Sequence, residues 1–382
     1  MEFLPRTLLF YIVSHVYLFR RFHRLLGKRR VFFAALPLFA LMGLFPYVFH
    51  LLPEGAVRHL FGVAGTFWLP AAFFCLIVFV AADALSLLAM AFRGRFPAGA
   101  MLFFSRRRYV ALLALLAACL YGYGAFEAHS LRVTPLELVT DKLPPGASVR
   151  IVFASDLHIG PQTGTAMLGA TVDLMLAQQP DLILLGGDLF DDAFQGTEAD
   201  IRELRRLAAP LGVFAVLGNH DSFGGFRHAV DTIAASGVTL LSDEIVDAGP
   251  VRIVGVDDPD VTAQKNGGAT DVKHAAFVAQ NLLRRGPGGR FTILLDHRPD
   301  IAASTVGLFD LKLSGHSHGG QIIMLKPLLE AAYGTPTGFS VHRSEAGTSV
   351  LFVTTGTGFS KLPIRFFVPP EIVLVDVRGA SS

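Results

Sequence analysis

Five short polar clusters hold the residue types that bind divalent metal ions, and each cluster follows a short apolar run. The clusters are Asp156-Leu157-His158, Gly187-Asp188, Gly218-Asn219-His220-Asp221, Asp296-His297 and Gly315-His316-Ser317-His318. They contain five of the 13 histidines of the chain. Their donor atoms are nitrogen and oxygen only, which suits Mn, Fe, Mg or Zn. Together they predict a metal site.

The spacing within the clusters suggests how the ligands are arranged. In an extended chain, residues i and i+2 point the same way, so Asp156 with His158, and His316 with His318, are expected to face one cleft in pairs. Asp188 stands alone after an apolar run and is suited to bridge two cations. Taken singly, a helix cap or a hydrogen-bonded loop would account for several of these clusters. All five together favour a metal centre.

The region after Glu127 alternates short apolar runs with charged amphipathic stretches, which is an α/β pattern. Strands are predicted at 149–154, 182–185, 213–217, 252–256, 291–295, 311–314, 350–353 and 372–375, and helices include 198–208 and 274–285. Each polar cluster directly follows a strand. Side chains from separate strands converge at the carboxyl edge of a sheet, so the clusters are expected to form one site.

Composition divides the 382-residue chain into two parts. A hydrophobic content of 52% is too high for an ordinary soluble enzyme, so one part is expected in lipid. The net charge of +2 gives no global attraction to nucleic acid, and we expect no nucleic-acid partner. Cys75 and Cys119 both lie in apolar stretches, which excludes disulfides and thiolate metal sites from the polar part. The predicted domains are a transmembrane region, 1–126, and a catalytic domain, 127–382.

Apolar segments at 31–52, 67–90 and 109–126 are long enough to cross a bilayer. The segment 3–19 contains Arg6 and His15, so whether it spans is left open, and a bundle of three to four transmembrane helices is predicted. Arginine and lysine collect at 20–30 and at 93–108, while the loop between them offers only Glu54 and Arg58. Because basic loops stay cytoplasmic, we predict a multi-pass inner-membrane protein with an extracytoplasmic, periplasmic catalytic domain.

The five clusters resemble the signature of the calcineurin-like metallophosphoesterases, in its order. SDLHIG, GGDLFDD, LGNHD, DHRPD and SGHSHGGQ look most like the bacterial membrane-associated branch, and GTGFSKLPIRFFVPPEIVLVDV resembles its closing segment. The resemblance covers about 150–377 and implies an α/β fold of two facing mixed sheets flanked by helices. It also implies two sets of metal ligands: Asp156, His158 and His318 for one ion, Asn219, His297 and His316 for the other, with Asp188 bridging. Asp296 and Arg298, on either side of His297, depart from the family pattern.

By the same resemblance, two divalent ions (Mn, Fe, Zn or Mg) are expected to activate a hydroxide that attacks phosphorus. His220 is not assigned to a metal and fits a general acid at the leaving oxygen, with Asp221 orienting its imidazole. A structural loop role is the alternative for both residues. Metal identity, preference for monoesters or diesters, and oligomeric state stay open.

The membrane anchor favours a phospholipid or a lipid-linked sugar phosphate as substrate. The stretch 361–367 would then either touch lipid or form a buried β-edge. The alternative substrates are soluble nucleotides or phosphodiesters. A non-enzymatic alternative is a membrane receptor or scaffold that retains the domain.

Overall fold

A computed structural model of the chain describes residues 3–26, 37, 40–42, 56–91, 107–160, 162–191, 196–223, 225–268, 271–285, 289–360 and 362–380. The chain divides into two compact units, Met1–Ala125 and Phe126–Ser382.

The N-terminal unit is helical in its described parts. Helix α1 spans Phe3–Leu26, α2 spans Ala56–Ala91, and α3 spans Arg107–Ala128, with its last three residues in the second unit. The carboxylate of Asp83 in α2 forms an ion pair with Arg21 of α1 and accepts a hydrogen bond of 2.7 Å from the Tyr17 hydroxyl. This acidic side chain therefore has polar partners despite its apolar segment.

Two helices of the described part of the chain are long and apolar enough to cross a membrane, through Ala71–Leu88 and Ala111–Ala128. They coincide with the predicted spans 67–90 and 109–126. The predicted span 31–52 lies almost entirely outside the described residues. The expected bundle of three to four spanning helices is therefore not established. The described residues contain two candidate membrane-spanning helices.

The first sheet of the C-terminal unit is mixed and has the order β1-β12-β2-β3-β4-β5. Its strands are Arg132–Thr140 (β1), Ser148–Ala154 (β2), Leu182–Gly186 (β3), Val213–Val216 (β4), Thr239–Leu240 (β5) and Glu371–Gly379 (β12). Strand β12 pairs parallel with β1 and antiparallel with β2, and the other pairs are parallel.

The second sheet is also mixed, in the order β10-β11-β9-β8-β7-β6. Its strands are Glu244–Ala248 (β6), Val251–Val256 (β7), Phe291–Asp296 (β8), Leu311–Ser314 (β9), Gly338–Ser344 (β10) and Gly347–Val353 (β11). The central strands β7, β8 and β9 run parallel, as β2, β3 and β4 do in the first sheet. Their carboxyl ends form one edge in each sheet.

Three apolar layers hold these elements together. Ile151 and Phe153 of β2 face the core between the sheets, while the alternate residues Val152 and Ala154 face helices on the outer side. Sheets buried on both faces read as continuous apolar runs, which is why these strands could be found in the sequence. The outer helices are α4 (Gly164–Ala177), α5 (Glu198–Leu204) and α7 (Phe226–Ser236) on the first sheet and α9 (Val272–Arg285) on the second. Three shorter helices are α6 (Asn219–Phe223), α8 (Pro259–Asn266) and α10 (Lys326–Tyr333).

The predicted α/β architecture of two mixed sheets with flanking helices is confirmed, and all eight predicted strands are present. The additional strands β1, β5, β6 and β10 were not predicted. In β1 and β10 few residues are fully buried. Half-exposed edge strands carry mixed polar sequences and lack the apolar run that marks a central strand.

Candidate metal centre

The predicted ligand residues all follow the carboxyl ends of central strands. Asp156 and His158 follow β2, and Asp188 follows β3. Asn219 follows β4, His297 follows β8, and His316 and His318 follow β9. Two sheets that face each other thus bring five strand ends to one place.

Asp156, His158 and His318 form a buried triad. The Nε2 atoms of the two imidazoles are 3.0 Å apart, and Oδ1 of Asp156 is 3.4 Å from Nε2 of His318. One ligand atom from each residue lies within 4.8 Å of the others. The loop after β2 and the loop after β9, which belong to different sheets, therefore share one half-site.

Asp188, His297 and His316 form a second triad, in which one ligand atom from each residue also lies within 4.8 Å of the others. Nδ1 of His316 lies 3.2 Å from Nε2 of His297, and that Nε2 lies 3.1 Å from Oδ2 of Asp188. The Nδ1 atom of His297 is 2.8 Å from the carbonyl oxygen of Gly186, which fixes the ring and leaves Nε2 facing the triad.

Asp188 connects the two triads. Its Oδ2 atom is 3.1 Å from Nε2 of His297 and 3.8 Å from Nε2 of His158, so the same oxygen faces both half-sites. Its Oδ1 atom accepts a hydrogen bond of 2.8 Å from the backbone N–H of His220. One carboxylate is therefore held between both halves and is buried.

These side chains fit divalent metal ions. Nitrogen and oxygen ligands about 2.0–2.2 Å from one ion lie roughly 3.0–3.5 Å from each other, which matches the separations within each triad. Asn219 adds a further observation, because its Oδ1 atom is buried and has no hydrogen-bond partner among the described residues. A buried amide oxygen without a partner is unfavourable unless a cation or water satisfies it. Asn219, adjacent to the backbone group that binds Asp188, is positioned to supply that oxygen.

The family of this chain follows from comparison with known sequences. The pattern of the family described as "Calcineurin-like phosphoesterase" matches residues 149–320. An uncharacterized metallophosphoesterase of Aquifex aeolicus (strain VF5) is 29% identical over 270 residues, covering 70% of this chain and 99% of that protein. The uncharacterized metallophosphoesterase YkuE of Bacillus subtilis (strain 168) is 30% identical over 282 residues, covering 70% of this chain and 93% of that protein. This chain belongs to the calcineurin-like metallophosphoesterases.

The resemblance in the sequence motifs is thereby confirmed, and the chain is a phosphoester hydrolase. Its clustered histidines and aspartates indicate a divalent-metal site. A third relative, from Danio rerio, is named "Transmembrane protein with metallophosphoesterase domain". It is 28% identical over 288 residues, covering 72% of this chain and 63% of that protein.

The backbone of this metallophosphoesterase differs from the expectation for the ligand pairs. Asp156, His158, His316 and His318 have φ angles of 55°, 46°, 67° and 49°, so neither pair has the extended backbone that was predicted, although Asp156 and His158 do reach the same triad. Asp188 shares this left-handed conformation, with φ of 50°. The left-handed region is uncommon for residues with a Cβ, although Asp and His tolerate it better than most. Such sharp turns end the strands, and His316 and His318, unlike Asp156 and His158, reach different triads.

The glycines of the motifs leave space for the ligands. A Cβ added to Gly218 would lie 2.2 Å from Oδ1 of Asp188, and one added to Gly315 would lie 2.1 Å from Oδ2 of Asp156. These separations are far below van der Waals contact. The two carboxylates therefore pack directly on glycine backbone, and any larger residue there would displace them.

Buried charges interact strongly among the predicted ligand residues. Burial lowers the pKa of His297, but the carboxylates of Asp188 and Asp156 outweigh burial and raise it to about 10. Burial of Asp188 opposes its ionisation, yet His297 and His158 hold the pKa of that carboxyl well below its usual range. Burial and the charge of His297 lower the pKa of His316 to about 3. A proton on His297 thus balances Asp188, and an entering cation would have to displace that proton.

His220 lies beside the first triad. Its ring centroid is 4.7 Å from that of His158 at an interplanar angle of 82°. Asp221, the predicted orienting residue, instead accepts hydrogen bonds of 2.8 Å and 2.9 Å from the backbone N–H groups of Gly218 and Phe190. Asp221 therefore fixes the backbone of the loop that carries Asn219.

Sequence reasoning did not assign a role to Asp191. Its Oδ1 atom lies 4.0 Å from Nδ1 of His220 and 3.7 Å from Nδ1 of His158. The carboxylate beside the His220 ring is therefore this one. GGDLFDD contains Asp191 only three residues after Asp188, and this proximity to a ligand was the signal available.

The charged residues that flank His297 are engaged elsewhere. Asp296 forms an ion pair of 2.6 Å with buried Lys312, and Arg298 binds Asp258 and Asp260, each at 2.7 Å. The departure from the family pattern thus supplies ion pairs that brace the loop on either side of a predicted ligand.

Buried Arg365 supports the first triad from behind. Its guanidinium donates hydrogen bonds to the carbonyl oxygens of Thr355, Gly356, Gly358 and Val368. The backbone N–H of Gly358 in turn donates to the carbonyl oxygen of Asp156 at 2.8 Å.

The stretch 361–367 was expected either to touch lipid or to form a buried β-edge, and it is mixed. Ile364 and Arg365 are buried, whereas Phe367 is exposed. Lys361 lies outside the described residues.

We predict that Gly218→Ala removes the metal site. The added Cβ would displace the Asp188 carboxylate, and overpacking of this kind destabilises by roughly 1–3 kcal/mol. Bound metal, measured by elemental analysis, and phosphoesterase activity should both fall to background. Gly268→Ala is the matched control, because no atom lies within 4 Å of a Cβ there and its φ is not in the left-handed region. If Gly218→Ala kept its full metal content, the close packing of Gly218 on Asp188 would not be required for metal binding.

Proposed function

We propose that this chain is a membrane-anchored hydrolase that uses two divalent metal ions to cleave a phosphoester in a membrane phospholipid or a lipid-linked sugar. The observation that carries the two-metal part is the position of Asp188, whose Oδ2 atom faces both His297 and His158. A carboxylate shared by two triads is the arrangement that a binuclear centre requires. A single ion would leave one triad of buried imidazoles without a cation.

Asp156, His158 and His318 would hold one ion, and Asn219, His297 and His316 the other, with Asp188 between them. When bound, a pair of divalent ions lowers the pKa of water, binds phosphate oxygens and stabilises the charge that develops in an in-line displacement. The protein residues keep these positions rigid through backbone contacts. Asp156 accepts a hydrogen bond of 2.9 Å from the backbone N–H of His316, and Asp188 accepts one from the N–H of His220.

His220 is the residue placed to protonate the leaving oxygen. It lies against His158 at the edge of the first triad. His158, Asp191 and His220 also offer ligand atoms within 4.8 Å of one another, but His220 belongs to neither of the two triads assigned to the ions. The Asp191 carboxylate, 4.0 Å from Nδ1 of His220, is the acidic group beside this ring. Asp221 contributes indirectly, through the loop backbone.

The lipid substrate is supported by the anchor. Two described helices have the length and apolarity of membrane spans, and relatives of this chain are named transmembrane proteins. An enzyme held at a bilayer meets lipid-borne phosphates at high local concentration. The arginine-rich stretches at 20–30 and 93–108 support an inner-membrane protein whose catalytic unit lies outside the cytoplasm.

The number of metal ions is tested by elemental analysis of the purified chain. We expect about two ions per chain. Asp188→Ala should lose both, because it contacts both triads, whereas His316→Ala should keep about one ion and also lose turnover. Asp231→Ala, an exposed position on α7, serves as the carboxylate control. Full activity at a stoichiometry of one ion would exclude the binuclear centre.

The role of His220 is tested with two leaving groups. His220→Ala should retain its metal but lose roughly 10²- to 10⁴-fold in rate on substrates with basic alkoxide leaving groups. The loss should be much smaller on nitrophenyl esters, because nitrophenolate departs without protonation. Asp191→Asn should also lose more rate on the alkoxide substrates than on nitrophenyl esters, but the loss should be smaller than for His220→Ala. Equal losses on both substrates, or loss of metal from His220→Ala, would exclude the acid role.

The substrate class is tested with the full chain reconstituted in vesicles. Turnover of phospholipids and lipid-linked sugar phosphates in the bilayer is compared with turnover of soluble nucleotides and diesters, and His316→Ala measures background hydrolysis. We expect the lipid substrates to be preferred by at least about tenfold in kcat/KM. Preference for a soluble nucleotide or diester would favour the alternative substrate class instead.

Orientation is tested by fusing reporters after Ser382, one that is active only in the periplasm and one that is active only in the cytoplasm. We expect activity from the periplasmic reporter alone. The opposite result would reverse the predicted topology and move the substrate to the inner leaflet.

A further inference from the structure

A group of large apolar side chains on the C-terminal unit is exposed to solvent. We call Ile323, Met324, Leu325, Leu328 and Phe367 the apolar rim, and their exposed fractions are 40%, 55%, 40%, 67% and 60%. Isolated exposed apolar residues are ordinary, but a cluster of them indicates a surface that binds something. Four of the five come from a single segment, 323–328, which also includes Lys326 and the exposed Pro327.

The rim is built onto the site. Its segment begins five residues after His318, and its last three residues open α10, which ends at Tyr333, whose ring centroid lies 5.4 Å from that of His316. Every residue of α10 is at least partly exposed. A helix with leucines and alanines that packs none of them in the core of its own unit is unusual, since tertiary packing normally provides most of a helix's stability.

The backbone links Phe367 to the same segment. Ile322 forms a parallel bridge with Phe366, and the N–H of Ile323 donates to the carbonyl oxygen of Phe366 at 2.9 Å. The N–H of Phe366 donates to the carbonyl oxygen of Gln321 at 2.7 Å. The five side chains of the rim therefore come from two stretches of chain that lie side by side.

The end of a candidate membrane span is hydrogen-bonded to the backbone of a rim residue. Oε2 of Glu127 accepts a hydrogen bond of 2.5 Å from the N–H of Phe367, within the C-terminal unit. Glu127 is the penultimate residue of the candidate span Ala111–Ala128 and of α3, which has 22 residues. At 1.5 Å per residue such a helix is about 33 Å long, close to the thickness of the hydrocarbon core. Glu127 would then lie at the surface of the bilayer, with Phe367 bonded to it.

We propose that the apolar rim is a bilayer-contacting surface, which seats the metal cleft against the lipid in which the anchor is embedded. The partner is the lipid bilayer itself. Exposed phenylalanine, leucine and methionine with a lysine beside them are the side chains that interfacial helices insert at the level of the headgroups. The proposal rests on the membrane anchoring in the proposed function and assigns the surface through which a lipid phosphate reaches the cleft.

The contact is tested with single-cysteine labels on the full chain. In a background of Cys75→Ala and Cys119→Ala, an environment-sensitive fluorophore is attached at Met324→Cys or Leu328→Cys, and the protein is reconstituted in phosphatidylcholine–phosphatidylglycerol vesicles. The matched control is Phe277→Cys on α9, which replaces an equally exposed apolar residue far along the chain from the rim. A quencher carried on lipid chains should reduce emission at least about twofold at the rim and leave the control unchanged.

Two results would overturn the proposal. The first is equal, weak quenching at the rim and at the control. The second is a rim label whose emission indicates an apolar environment only at high protein density and is not reduced by the lipid-borne quencher. This would mean that a second copy of the chain, and not lipid, covers the rim.

A functional measurement separates this proposal from the lipid substrate. The double variant Met324→Glu with Leu328→Glu should lower turnover of vesicle-borne lipid substrate by about tenfold, since it opposes contact with the bilayer. Hydrolysis of nitrophenyl phosphate in detergent should be unchanged, which also shows that the variant folds and keeps its metal. Phe277→Glu should affect neither reaction. Quenching at the rim without any lipid turnover would support the contact and overturn only the lipid substrate.

Discussion

The structure depends on one shared carboxylate. Asp188 follows β3 in the first sheet, while His297, its partner at 3.1 Å, follows β8 in the second. His297 is held by the carbonyl oxygen of Gly186, also on β3, so the two sheets are tied at the place where the site forms. In a low-dielectric interior this opposite-charge contact is strong, and either partner alone would be a buried charge without compensation. Each triad takes residues from both sheets, so the position of one sheet relative to the other sets the distances within the triads, and a slip between the sheets would break both.

That constraint explains why the motifs contain the residues they do. Ligands that must turn sharply out of a strand adopt a left-handed backbone, and side chains that must approach each other this closely need neighbours without a Cβ. Both features are present here. Asp156 and His318 have left-handed backbone conformations, and Gly218 and Gly315 leave room for the carboxylates that pack on them. Strain of this kind persists only where the surroundings enforce it. Arg365 is part of that enforcement, because it holds the loop behind Asp156 through backbone carbonyls.

Much of this was predictable from the sequence, and the failures have physical causes. Central strands are buried on both faces and read as apolar runs, so they were found, whereas β1 and β10 are half-exposed and were not. The ligand residues were found because caps and turns alone rarely place metal-binding side chains at five strand ends of one domain. The backbone geometry of the ligand pairs was not predicted. The argument from extended pairs assumes regular strand backbone, and the ligand residues lie just beyond the ends of the strands. The contacts of Asp221 and Asp191 depend on how two loops meet in space, which no local pattern encodes.

Pairing in the first sheet also connects the proposed anchor to the chemistry. Glu127 and Ala128 are buried at the start of the catalytic unit, and β1 follows four residues later, pairing with β12 along its whole length. Strand β12 pairs on its other side with β2, whose end carries Asp156 and His158. The residues that follow the candidate span therefore enter the same sheet that carries Asp156 and His158. The apolar rim belongs to this same C-terminal unit, so the proposed contact with lipid and the predicted metal ligands share one folded body.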